Sequence, residues 1–416
     1  MPMPKFLKKS FWLPKIKRVV KDYLFWTLLP RKYQRAADEC AAETVLFIDT
    51  KETNMPYAMQ YIYERIQANY DYEVEFVSLM QNESRFIVYM RHCVDALGAV
   101  ARARYIFLSD ASDYISCLPL REETKVVQLW HGSGAFKKWG FSTAEAIFGG
   151  SREEKERHPY YENLDLVCVS SPEVIWAYEE AMGLEGRGIV QPTGVAASDV
   201  FFDQAFLDNA RKSIEGAIPE IANKKIVLYA PTFRGRVKHA KAPDALDIGL
   251  FVRELGEDYV LLVKNHPFVR DELLLDPANE GFVFDITHDS RIAYAQVLAA
   301  ADVLITDYSS VVFDFCLLNR PMCFFAYDIE DYNDWRGFYY NYDEMTPGPI
   351  FTETEQIIGW IHNLPEAYDA EEMRAFREKF MQSCDGRSTS RILDFMFNEA
   401  VTADQGGKPD ATGNKA

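Results

Sequence analysis

The chain of 416 residues is short of several things, and each shortage narrows what it can be. Its seven cysteines (Cys40, Cys93, Cys117, Cys168, Cys316, Cys323, Cys384) are odd in number and scattered, with no CxxC pair and no Cys/His cluster. That pattern argues against a disulfide framework and a structural zinc site, and fits a reducing cytoplasm. No Asp-x-Asp motif or carboxylate cluster calls for a metal. No apolar run reaches the roughly 18 residues of a spanning helix: the N-terminal stretch is broken by Lys15, Lys17, Lys21 and Asp22. Nor is it a secretory signal, since its basic residues are interspersed with the apolar ones. Positive charge is scarce beyond the start of the chain. Residues 1–35 carry +9, and the rest carries −27 of a total of −18. A basic head on an acidic body argues against a nucleic-acid partner.

What is present is a foldable chain, with 48% hydrophobic and 14% aromatic residues and a length that suits two cores. In the head, Trp12, Ile16, Val19, Val20, Tyr23 and Trp26 recur at helical spacing opposite a lysine-rich face. This predicts a basic amphipathic helix lying on an anionic membrane surface, and with it a peripheral location on the inner face of the cell membrane. The alternative is a basic helix docked on the acidic body.

Beyond the head, uninterrupted Val/Ile/Leu/Phe runs alternate with helical periodicity. Strands are expected at 44–48, 73–77, 105–108, 126–129, 166–169 and 188–191, then at 226–229, 260–263, 282–284, 303–305 and 322–325. Apolar runs without alternation suit parallel strands covered on both faces. The pattern breaks near 216–225, which divides the chain into a head (1–35), two doubly wound α/β domains (36–216 and 217–400) and a disordered tail (401–416).

Ligands of open parallel sheets sit beyond the carboxyl ends of the strands, so the residues just after each strand are the candidates. Trp130-His131-Gly132-Ser133-Gly134 follows one strand, and His131 is either a general base or a satisfied structural histidine. Thr232-Phe233-Arg234 and Lys264-Asn265-His266 follow two others. They place cations where a phosphate would be gripped, unless Arg234 and Lys264 are solvated loop charges. Asp307-Tyr308-Ser309-Ser310 closes a strand and opens a helix, where two serines and free backbone amides make an anion site. Asp314 lies one turn further in, directed at the same helix mouth.

Together Gln128-Leu-Trp-His-Gly, Tyr229-Ala-Pro-Thr-Phe-Arg, Lys264-Asn-His-Pro, the run from Asp302 to Phe315, Arg336-Gly-Phe-Tyr and Asp385-Gly-Arg-Ser-Thr-Ser-Arg resemble the CDP-glycerol:polyglycerophosphate glycerophosphotransferases of teichoic-acid and capsule synthesis. The resemblance runs from about 126 to 392 and implies a GT-B fold, two Rossmann-like domains facing a cleft. It implies transfer of a polyol phosphate, glycerol phosphate foremost, from CDP-glycerol or CDP-ribitol to a hydroxyl of a lipid-linked or polymeric acceptor, with CMP leaving and no cofactor. By that likeness His131, His266 and Asp314 are the catalytic candidates. Gly132, Ser133, Thr232, Arg234, Lys264, Asp307, Ser309 and Ser310 are the donor-binding ones. The chain departs from the family at Gly194-Val-Ala-Ala-Ser-Asp199, where members often carry Gly-x-Pro-Arg-x-Asp. Rival readings are a nucleotide-sugar glycosyltransferase on the same fold and an inactive membrane-bound scaffold.

Overall fold

The computed structural model describes residues 18–50, 53–80, 86–146, 151–235, 239–271, 273–274, 276–330, 332 and 337–405. Residues 1–17 of the basic head, with Trp12 and Ile16, lie outside the described residues, as do Arg336 and the tail from 406.

Two six-stranded parallel sheets make the fold. The first has the order β2-β1-β3-β4-β5-β6, from β1 (Thr44–Asp49), β2 (Val74–Ser78), β3 (Ala103–Leu108), β4 (Lys125–Gln128), β5 (Leu166–Cys168) and β6 (Val190–Gln191). The second has the order β12-β11-β10-β7-β8-β9, from β7 (Lys225–Tyr229), β8 (Tyr259–Val263), β9 (Val283–Asp285), β10 (Val303–Thr306), β11 (Met322–Phe325) and β12 (Ile350–Phe351). All eleven expected strands are found. The short β12 is additional, and it was illegible because two paired residues carry no periodicity. Helices cover both faces of each sheet, which is why β1 and β8 are buried at every position. The order reverses between β1 and β3 in the first sheet and between β7 and β10 in the second. Those are the points where loops part and leave a crevice.

The halves are not separate bodies. One apolar cluster runs from Leu46 and Ile106 through Phe136 and Phe201 to Phe313, Phe376 and Phe380. The last helix, Ser388–Gln405, returns to the first half: Ile392, Leu393, Met396 and Phe397 pack beneath Val45, Phe47 and Tyr105. A cut near 216–225 is therefore a division of sequence that the packing crosses, and the helix runs past 401 to Gln405.

Within the head, the described helix spans 18–38 with a π turn at Leu24–Leu28. Phe25, Leu29, Tyr33 and Ala37 enter the core. Lys21 pairs with Asp113 at 3.3 Å, Arg18 with Glu153 at 3.2 Å, and Asp22 with Arg157 and with His158. These residues are docked on the acidic body. Val19, Val20, Tyr23 and Trp26 nonetheless remain exposed on the outer side.

Candidate active site

On the first sheet the site begins where β4 ends. Trp130 takes a left-handed backbone (φ 63°), a conformation that costs an L-residue about 1–2 kcal/mol. Its amide donates to Gln128 Oε1 at 3.2 Å, and Gln128 Nε2 donates to the Asp110 carbonyl at 3.0 Å, tying the loops after β3 and β4 together. Trp130 stacks on Trp139 at 4.6 Å, and the next residue, His131, is half exposed. Its Nδ1 lies 3.4 Å from the Ser109 carbonyl and 3.7 Å from Asp110 Oδ1. Both neighbours only accept, so the proton sits on Nδ1 and Nε2 keeps a lone pair. Gly134 follows at φ 64°. A side chain there would fall 2.3 Å from the Phe313 ring, so only glycine lets this loop reach the second half.

The second sheet supplies a partly buried knot. Asp307 accepts from the amides of Thr232 (2.8 Å) and Tyr308 (2.6 Å) and from Arg234 Nη1 (3.0 Å). Arg234 also forks onto Asp328 at 2.6 and 2.9 Å and donates to the Thr232 carbonyl at 2.6 Å. Four of the five guanidinium N–H groups are thus engaged. Burial works against this charge, but Asp328 and Asp307 outweigh it and push the Arg234 pKa up. Tyr308, Tyr327 and Tyr332 pack around the guanidinium at 5.3–5.6 Å. Arg234, Asp307 and Thr232 accordingly hold the loops after β7, β10 and β11 in place.

Beyond β8, the Phe268 amide donates to His266 Nδ1 at 3.2 Å, which puts the imidazole proton on Nε2. His266 and His131 therefore carry opposite tautomers, one offering an N–H and the other a lone pair. Lys264 is partly buried, and burial pulls its pKa down against the weaker pull of Asp285 and Asp289. Its Nζ reaches the Ile286 carbonyl at 3.4 Å. Ser310 holds the N-cap position of the helix Val311–Cys316 without a side-chain capping bond, while Ser309 Oγ accepts from the Val311 amide at 3.4 Å.

The two halves meet at this helix. Ser133 Oγ donates to Asp314 Oδ1 at 2.8 Å, and the Tyr294 hydroxyl donates to Oδ2 at 3.3 Å. Burial raises the Asp314 pKa to about 6 despite both bonds. A Cβ on Gly132 would lie 4.0 Å from Ser310 Oγ, and Lys137 Nζ reaches Thr232 Oγ1 at 3.5 Å. His131, Gly132, Ser133, Asp314 and Ser310 thus share one seam. His266 and Lys264 sit at the end of β8, beside the Phe233 ring that follows β7, with ring centroids of His266 and Phe233 4.9 Å apart.

Several participants escaped the sequence reading. Asp110 and Asp328 follow β3 and β11 closely, so the strand-end rule applied to every strand would have found them. Tyr294 carries no such signal, and Gln128, quoted above only as part of a motif, is the last residue of β4. The Asp385–Arg391 motif is a brace: Asp385 pairs with Arg391 at 2.8 Å, and Asp199 accepts from the amides of Ser388 (2.9 Å) and Thr389 (2.8 Å). Gly194 lies against it, where a Cβ would come within 2.3 Å of the Ser383 carbonyl. The stretch that departs from the usual Pro-Arg pattern is therefore one side of the contact between the halves.

Residues 32–398 match the profile of the CDP-Glycerol:Poly(glycerophosphate) glycerophosphotransferases. The chain is 35% identical over 311 residues to a teichoic acid ribitol-phosphate primase of Bacillus spizizenii, covering 74% of this chain and 78% of that one. It is 32% identical over 355 residues to a teichoic acid poly(ribitol-phosphate) polymerase of the same organism, 84% of this chain but only 55% of the polymerase. Among solved structures, the wall teichoic acid polymerase TagF superposes with a TM-score of 0.73 at 25% identity, covering 95% of this chain and 99% of that one.

Proposed function

The chain belongs to the CDP-glycerol:poly(glycerophosphate) glycerophosphotransferase family, and from that premise we propose that it moves a polyol phosphate from a CDP-alcohol to an acceptor hydroxyl in teichoic-acid-type polymer synthesis. The observation that carries this reading is the seam between the halves, where the His131 loop meets the helix that opens at Ser310. An acceptor oxygen attacks the polyol-bearing phosphorus, the bond to the CMP oxygen breaks, and the acceptor proton passes to His131 Nε2. Alcohols attack well only when that proton leaves as the bond forms. His266 offers its Nε2–H to the diphosphate, and Ser309, Ser310 and the adjacent amides offer further donors. Lys264 suits the same task, because a cation disfavoured by burial gains most from an arriving anion. Asp314 acts on the base through Ser133. No cofactor or metal is given a role.

We read the architecture as GT-B-like. The second sheet, in the order β9-β8-β7-β10-β11-β12, has the strand order of a Rossmann fold, with its switch point between the Thr232–Arg234 and Asp307–Ser310 loops. That half is assigned the donor and the His131 half the acceptor. The exposed Val19, Val20, Tyr23 and Trp26, beside a basic head, support attachment to an anionic membrane at its inner face, with the acceptor lipid-linked or polymeric. No described helix is long and apolar enough to cross a membrane.

Incubating the chain with CDP-glycerol, CDP-ribitol and a nucleotide sugar, with an acceptor, tests the assignment. CMP release from a CDP-alcohol is expected. Turnover of the nucleotide sugar alone would favour the glycosyltransferase reading and overturn this one.

A further inference from the structure

The loop that carries His131 crosses from the first half into the second. Its strip 136–138 runs antiparallel to 337–339: Lys137 is bridged to Phe338, the Lys138 amide donates to the Gly337 carbonyl at 3.1 Å, and the Tyr339 amide donates to the Phe136 carbonyl at 3.1 Å. The buried Phe136 ring packs edge-on against Phe313, Phe338 and Tyr342, which fixes the strip in place. Lys137 therefore belongs to the first half by sequence and to the second by position.

Its ammonium lies beside the loops that flank the switch point of the second sheet. Nζ is 3.5 Å from Thr232 Oγ1, which follows β7, and 3.4 Å from the hydroxyl of Tyr332, whose ring stacks at 4.1 Å on Tyr308, which follows β10. Both hydroxyls are neutral and both distances are at the long limit for a hydrogen bond, whereas an ammonium meets a charged oxygen at about 2.7–2.9 Å. Arg234, at the same place, already commits four N–H groups to Asp307, Asp328 and the Thr232 carbonyl. An anion arriving at this switch point thus meets Lys137.

We infer that Lys137 grips the diphosphate of the CDP-alcohol, so that one loop of the first half brings both the base and a cation to the donor. The inference rests on the transferase reading and adds a donor-binding residue to it. As the bond between the polyol-bearing phosphorus and the CMP oxygen breaks, its electron pair stays on that oxygen, and the acceptor proton passes to His131 Nε2. The charge that CMP gains in this step is stabilised by a cation already fixed in the cleft. Lysine suits that task as a point charge on a flexible stem. The strand-end rule misses this residue because it lies well past the end of β4.

The test is calorimetric titration of the intact chain with cytidine and with CDP, in the parent, Lys137→Gln and Lys137→Arg. Glutamine can still hydrogen-bond to a hydroxyl but carries no charge, whereas arginine keeps the charge. Lys137→Gln should weaken CDP binding by about tenfold or more and leave cytidine binding unchanged. Lys137→Arg should retain most of the CDP affinity. Unchanged CDP affinity in Lys137→Gln, an equal loss for CDP and cytidine, or an equal loss in both variants would overturn the proposal. A lower melting temperature with CDP binding intact would make Lys137 a strut between the halves and overturn it as well. CMP release assays run in parallel keep the two readings apart. Lys137-dependent CDP binding without CMP release from any CDP-alcohol by the parent sinks the transferase reading and leaves the phosphate grip standing. CMP release together with a CDP affinity indifferent to Lys137 sinks the grip alone.

Discussion

Ser133 on the first half donates its hydroxyl to Asp314 on the second at 2.8 Å, two residues along the chain from His131. In the proposed reaction the bond sets His131 relative to the second half, so it acts on geometry and not on chemistry. Ser133→Ala should lower turnover more than CDP affinity. Loss of one hydrogen bond to a charged group should also cost about 1.5–3 kcal/mol of stability. Paired kinetic and denaturation measurements check both, and unchanged turnover would remove Ser133 from any positioning role.

Asp314 links the same contact to pH. Its pKa is raised by burial to about 6 from the ordinary carboxylate value of 3.8, so between those values the folded chain holds a proton that the unfolded chain has released. Stability should fall as pH rises from about 4 to 6 and then level off. Asp314→Asn cannot ionise and should be spared that loss, gaining up to about 3 kcal/mol relative to the parent above pH 6. Melting curves of both proteins across that range give the answer, and a pH-independent difference between them would show that Asp314 titrates normally.

His131→Ala should reduce transfer by about 10²–10⁴-fold with the fold intact, because the ring is half exposed and its removal empties no core. Thermal-shift titration with CDP should match that of the parent. Wild-type turnover in the variant would end the assignment of His131 as base.

The Arg234 knot predicts a different phenotype. Asp328→Ala leaves a partly buried guanidinium without its bidentate partner, with Asp307 still paired to it, and should destabilise the protein by about 1–3 kcal/mol. Ser310→Ala, at an exposed position, should weaken CDP binding and leave the melting temperature alone. If Asp328→Ala melts like the parent while losing only donor affinity, Arg234 grips the donor and is not a structural brace.

The N-terminal helix has two faces that substitution can separate. Leu29→Ala should cost about 2–5 kcal/mol, since Leu29 is wholly buried. Trp26→Ser combined with Val20→Ser should leave folding intact and reduce sedimentation with anionic vesicles at low salt. Equal sedimentation of variant and parent would confine this helix to docking on the body.

Strand positions, the parallel character of both sheets and the polar residues at their carboxyl ends were legible because they rest on local pattern: unbroken apolar runs, and polar residues placed directly after them. That is how His131, His266 and the Ser309–Ser310 pair could be named from the chain alone, each at a strand end where the structure also has it. The sequence could not say which candidate charges face outward. Arg234 and Asp307 look like donor ligands in the linear pattern, yet Asp307 binds Arg234 directly, and Asp328, arriving from the end of a different strand, β11, forks onto the same guanidinium. Asp314 likewise points to the helix mouth in sequence, and only the approach of the first half supplies Ser133 to meet it. The head could be read as an amphipathic helix on a membrane or docked on the body because helical spacing reports that apolar faces exist but not what covers them; Phe25 and Leu29 found the core, whereas Trp26 remained exposed. Local periodicity is written into the order of residues, but a side chain's partner is set by segments tens to hundreds of residues away, and only packing brings them within reach.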